Sequence, residues 1–119
     1  MGTTKGRANM KVVYKVWLDN EGKAFGEGPY QLLKHVEATG SLHRAASDLR
    51  ISYRKAWATL HRAEKRLGFA LLERKIGGVS GGGSELTAEG KTLMANYEKF
   101  REEIKTLVEK AYIKHLGDL

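Results

Sequence analysis

Residues 40–68 read GSLHRAASDLRISYRKAWATLHRAEKRLG. Ser41 can cap a helix over residues 42–49, its hydroxyl accepting from an early backbone N–H. Ala45, Ala46 and Leu49 share one face of that helix, and two alanines let another helix approach closely. A polar turn follows, interrupted by Ile51, which is placed to plug the core. Ser52 is a second cap. Beyond it Ala56, Leu60, Ala63 and Leu67 recur at spacings of four, three and four, one stripe of an amphipathic helix. Gly68 stands where a C-terminal stop belongs. The stripe leaves Tyr53, Arg54, Trp57, Ala58, His61 and Lys65 on or near the outer side, with partial burial of Trp57 left open. Two short helices joined by a tight turn, the second heavily basic, have the shape and charge of a helix-turn-helix that reads duplex DNA. The plainer alternative is an amphipathic hairpin with a solvated basic face.

Charge favours the DNA reading. The 119 residues carry a formal charge of +7, with a pI near 9.7. Residues 41–75 hold nine Lys/Arg against three acids, whereas residues 88–119 hold six of each. Nearly all the excess therefore lies on the helix-turn-helix and the segment after it, as a polyanion site requires.

The length suits one domain with an appended helix. A domain this small gains stability from dimerisation. There is no cysteine, so neither a disulfide framework nor a thiolate metal site is available. No apolar run approaches about 18 residues, and the N-terminus has no apolar signal core. The default expectation is a cytoplasmic protein without a membrane partner.

Residues 1–10 are polar and read as a flexible tail, with Met10 an alternative natural start. KVVYKVWL, residues 11–18, is rich in β-branched and aromatic types and reads as a strand. Residues 19–22, DNEG, are turn chemistry, and residues 23–26 can form a short return strand. Gly28-Pro29 opens a helix whose core face is Leu32, Leu33 and Val36, ending by Gly40. After the reading head, residues 69–76, a glycine-rich tip over 77–84 and residues 85–87 read as strand, tip and return strand, a β-hairpin wing. Such a wing can follow the DNA backbone or enter a minor groove. A flexible linker is the alternative, but Thr87 can cap the next helix with no polar gap before it. The chain thus divides into the tail 1–10, a DNA-binding domain 11–87 and a C-terminal helix 88–119.

That last helix, from 88 to about 115, would be ~42 Å long. Leu93, Tyr97, Phe100, Ile104, Leu107 and Ala111 alternate spacings of four and three, a heptad seam flanked by mixed charges. It reads as a dimer helix; a helix packed along its first half with a projecting end is the alternative.

Gly40-Ser41-Leu42, Ala45-Ala46, Leu49, Ser52, Leu60, Glu64, Leu67-Gly68, Leu72, Arg74, Leu86-Thr87 and Gly90 together resemble the N-terminal winged-helix domain of LysR-type regulators. The molybdate-responsive ModE regulators are a closer resemblance. It rests on Leu32-Leu33-Lys34-His35, on Ile51-Ser52-Tyr53 with Ala56-Trp57, and on the wing Gly77-Gly78, Gly81-Gly82-Gly83 and Leu86-Thr87. It covers roughly residues 28–95 and implies DNA binding and dimerisation. Regulators of both kinds sense their signals through separate C-terminal regions. The chain stops at Leu119, just after the helix, so a stand-alone DNA-binding domain without molybdate sensing is the expectation.

The fold expected is mainly α with a small β component: a winged helix-turn-helix with an N-terminal strand or hairpin and a long C-terminal dimerisation helix. Arg54 can offer a bidentate fork to guanine, with Tyr53, Trp57 and Ala58 beside it. Lys55, Arg62 and Lys65 suit phosphates, His43 and His61 are phosphate or base neighbours, and Arg74 and Lys75 stand at the base of the wing. Ser41, Arg44 and Ser52 at the helix starts complete the site. Nothing points to an enzyme or a cofactor. The four histidines lack paired carboxylates at ligand spacing. Gly90-Lys91-Thr92 imitates the end of a phosphate-binding loop, but Glu85 stands where that motif needs a glycine. The function expected is sequence-specific transcriptional regulation by a homodimer on a palindromic operator. The alternative is an architectural DNA-binding or protein-interaction adaptor module. A recognition helix mixing Tyr53, Arg54 and Trp57 favours the first, since a DNA coater would carry mainly lysine.

Overall fold

Helix starts and stops in this chain are set by local chemistry. The computed structural model describes residues 10–75 and 83–119. Its elements are β1 (Leu18–Asp19), β2 (Lys23–Phe25), α1 (Glu27–Thr39), α2 (Leu42–Asp48), α3 (Tyr53–Leu67), β3 (Leu72–Lys75), β4 (Gly83–Leu86) and α4 (Ala88–Leu116). The Arg44 N–H donates to Ser41 Oγ at 3.1 Å and the Lys55 N–H to Ser52 Oγ at 3.0 Å, so both serines cap as their positions predict. Thr87 Oγ likewise accepts from the Gly90 N–H at 2.9 Å at the start of α4. Gly40 and Gly68 end α1 and α3 in the left-handed conformation, with φ of 73° and 83°.

The chain forms two units: Trp17–Met94, and the described residues up to Val16 together with Ala95–Leu119. In the first unit α1, α2 and α3 pack around Phe25, Tyr30, Leu33, Val36, Ala45, Ala46, Ala56, Leu60 and Leu71, all buried. The paired alanines of α2 do what small residues allow, bringing three helices together. Ile51 is half-buried at the turn, and its N–H donates to Ala46 O. Strands β1 and β2 pair antiparallel through a tight turn in which Glu21 and Gly22 take positive φ. In the second unit Tyr97 and Tyr112 are buried, and the Tyr97 hydroxyl donates to Val16 O at 2.9 Å.

Three boundaries differ from expectation. Of residues 11–18 only Leu18 belongs to a strand and Lys11 makes a single bridge; burial alternates along the stretch as a strand predicts, but residues 12–17 have no ladder partner among the described residues. Residues 69–71 precede β3 instead of belonging to it, because Leu71 turns fully into the core. Gly83 and Ser84, expected in the wing tip, belong to β4, where they pair with Lys75 and Arg74. The flexible tip expected over residues 77–82 and the tail over residues 1–9 lie outside the described residues.

Candidate nucleic-acid interface

With Ala56, Leu60 and Ala63 buried, the helical period turns Arg54, Ala58, His61 and Lys65 to the opposite side of α3. Arg54, His61 and Lys65 are exposed and Ala58 is half-buried. Tyr53 and Trp57 flank this face on one side, 42% and 49% exposed, so Trp57 lies largely outside the core. Lys55 and Arg62 are exposed on the other flank. The serines spend their hydroxyls on capping the first turns of α2 and α3.

The aromatic flank is organised. His43 of α2 stacks on Tyr53, with ring centroids 3.7 Å apart and planes 6° from parallel. Trp57 stacks on His61 one turn further along α3, at 4.4 Å and 15°. His61 Nδ1 lies 3.6 Å from Glu64 Oε1. The other oxygen of Glu64 accepts from the Leu71 N–H at 2.7 Å and the Leu72 N–H at 3.3 Å. One carboxylate thus joins the outer face of the recognition helix to the first residues of the wing. An open groove separates the two, with Tyr53, Trp57 and His61 on one wall and Arg74, Lys75 and Ser84 on the other.

Two backbone contacts fix the wing. The Ser84 N–H donates to Gly40 O at 3.0 Å, and the Thr87 N–H to Leu71 O at 3.0 Å. A Cβ on Gly83 would stand 2.4 Å from Gly40 O, and one on Gly90 2.5 Å from Leu71 O. Gly90 therefore serves close packing, not phosphate binding.

The opposite flank is organised differently. Arg62 and Lys65 border a shallow depression with Asn20, Glu21 and Arg66. There the Arg66 guanidinium donates to Asn20 O and Glu21 O, while Asn20 Nδ2 donates to Arg66 O at 2.9 Å. Arg66 is thereby committed to the β1–β2 turn. The structure thus gathers Ser41, His43, Tyr53, Trp57, His61, Arg74 and Lys75 around one groove and places Arg54, Ala58 and Lys65 on the adjoining crest. Lys55, Arg62 and Lys65 extend the basic surface away from the wing. Arg44 and Ser52 are exposed at the starts of α2 and α3. The sequence names Glu64 in the resemblance and Ser84 in the wing tip but gives neither a role at the site, and leaves no trace of the Gly40–Gly83 approach. The i, i+4 spacing of Trp57 and His61, with Glu64 three residues on, was the legible trace of the platform.

Residues 30–91 match the bacterial regulatory helix-turn-helix proteins of the LysR family, over half of the chain. The chain belongs to the LysR family of helix-turn-helix regulators. The family is regulatory, not enzymatic. Within it the chain is ModE-like. It is 39% identical over 67 residues to the DNA-binding transcriptional dual regulator ModE of Escherichia coli, covering 56% of this chain and 26% of that protein. It is 30% identical over 89 residues to the molybdenum transport protein ModE of Azotobacter vinelandii, covering 75% of this chain and 33% of that one. The molybdenum-pterin-binding protein MopB of Rhodobacter capsulatus is 32% identical over 96 residues, covering 81% and 34%. The chain thus spans about a quarter to a third of the length of these relatives. No described helix is long and apolar enough to cross a membrane, and among the described residues no three His, Asp or Glu side chains gather as metal ligands do.

The expected dimer seam divides between two stripes of α4. Tyr97 is 3% exposed and buried like Tyr112, whereas Phe100 and Leu107 are 47% and 56% exposed. Ala111 is exposed, and Leu93 and Ile104 are half-buried. Ile113 and Leu116, which the heptad pattern left out, are exposed as well.

Proposed function

We propose that this protein is a transcriptional regulator that binds double-stranded DNA sequence-specifically as a homodimer on a palindromic operator, in the bacterial cytoplasm. The observation that carries the reading is the outer face of α3. Arg54, His61 and Lys65 are exposed on a helix capped at both ends, with Arg74 and Lys75 across the groove on the wing. A helix of that diameter fits the major groove, where Arg54 can fork onto the O6 and N7 of guanine. Lys55, Arg62 and Lys65 then lie toward phosphates, and the wing strand toward the neighbouring backbone.

The dimer reading rests on Leu93, Phe100, Ile104, Leu107 and Ala111, which follow one stripe of α4 beside the buried Met94, Tyr97 and Tyr112. An exposed Phe and Leu at heptad spacing suit a second copy of the same helix. Two linked reading heads gain affinity through effective concentration, and their symmetry sets half-sites about one helical turn or a small multiple apart. The molybdenum-related functions named for the relatives belong to proteins of which the match covers about a quarter to a third.

Selection from a random duplex library tests the proposal. The expected result is an imperfect palindrome protected in both halves by footprinting. Enrichment of no common sequence would favour an architectural DNA-coating role.

A further inference from the structure

The basic face of α3 carries one apolar feature that charge does not explain. Trp57 is half exposed, yet its ring is braced by a stack: His61 covers it at 4.4 Å, Glu64 lies 3.6 Å from His61 Nδ1, and the same Glu64 is anchored on the Leu71 and Leu72 amides. Beside Trp57 in sequence is Ala58, whose methyl lies on the outer crest between Arg54 and His61. Both are apolar groups on a surface otherwise rich in cations. A preorganised ring loses little conformational entropy on contact, which suits recognition better than casual exposure. The edges of the major groove offer a single apolar group, the C5-methyl of thymine.

We propose that Trp57, held in place by His61, reads the C5-methyl of a thymine in each half-site. The inference rests on the duplex-DNA reading above and gives that site a base preference which hydrogen bonding from Arg54 does not supply. Lys65 on the crest and Arg74 across the groove bring the phosphates alongside. The π-face and the Ala58 methyl then take the thymine methyl out of water, while cytosine presents bare C5–H at the same place.

The test uses the full chain and a duplex selected by the wild-type protein. Each thymine is replaced in turn by deoxyuridine, which removes only the methyl. Wild-type protein is expected to lose roughly three- to fivefold in affinity at one thymine per half-site, the effect of one buried methyl. Trp57→Ala should bind the thymine and deoxyuridine duplexes equally well, and Trp57→Phe should restore part of the difference. Insensitivity of wild-type protein at every thymine, or sensitivity that persists in Trp57→Ala, would overturn the proposal while leaving DNA binding intact. A wild-type protein that selects no sequence would overturn the sequence-specific reading along with it.

Discussion

Lys65 and Arg66 are adjacent in the chain and differently employed. Lys65 projects from the outer side of α3, while Arg66 is bonded to the carbonyls of Asn20 and Glu21. Composition counts both as equal parts of the basic excess, because a contact 46 residues distant leaves no local trace. Lys65→Ala should weaken binding to selected and random duplexes alike and reduce the salt slope by about one, read from affinities over a salt series. Arg66→Ala should instead lower folding stability by about 1 kcal/mol in urea titration, through loss of charge-assisted hydrogen bonds, and alter the salt slope less. Arg54→Ala separates base reading from charge. It should cost on the order of 1–3 kcal/mol and relax preference at one base position. Equal losses on selected and random DNA would assign Arg54 to the backbone.

At the level of elements, legibility followed locality. The caps at Ser41, Ser52 and Thr87 and the stops at Gly40 and Gly68 lie within a turn of what they satisfy, and the structure has them all. The buried stripe of α3 was legible for the same reason. Strand ends were less so, since a strand extends only as far as its partner. Val12, Tyr14 and Val16 alternate correctly but have no ladder partner among the described residues, and Gly83 joins β4 because its missing side chain admits Gly40 O. The site residues themselves were legible by type and phase. The stack of His43 on Tyr53 was not, because it depends on the angle between α2 and α3, whereas the stack of Trp57 on His61 within α3 left its trace in the i, i+4 spacing. Glu64 couples the recognition helix to the wing. Glu64→Ala should therefore speed hydrogen exchange at the Leu71 and Leu72 amides, leaving two donors without their acceptor. Protection there unchanged from wild type would show that the carboxylate does not hold the wing. Gly83→Ala should destabilise the fold by on the order of 1–3 kcal/mol, the cost of forcing a methyl against backbone.

For the whole molecule, symmetry links α4 to DNA reading. Leu107 is exposed, so Leu107→Glu should leave the fold intact while placing a charge in the proposed seam. Sedimentation at micromolar concentration should show a dimer for wild type and a monomer for the variant, and the variant should lose tight binding to the full palindrome while retaining weak half-site binding. A wild-type monomer would remove α4 from the dimer account. Whether this basic surface discriminates among sequences and does more than attract phosphates is read from one ratio. Affinity for the selected duplex and for random duplex of equal length is measured at the same salt concentration. The selected duplex should bind tighter by about a thousandfold or more; equal affinity for the two within a few-fold would reduce the surface to a phosphate attractor.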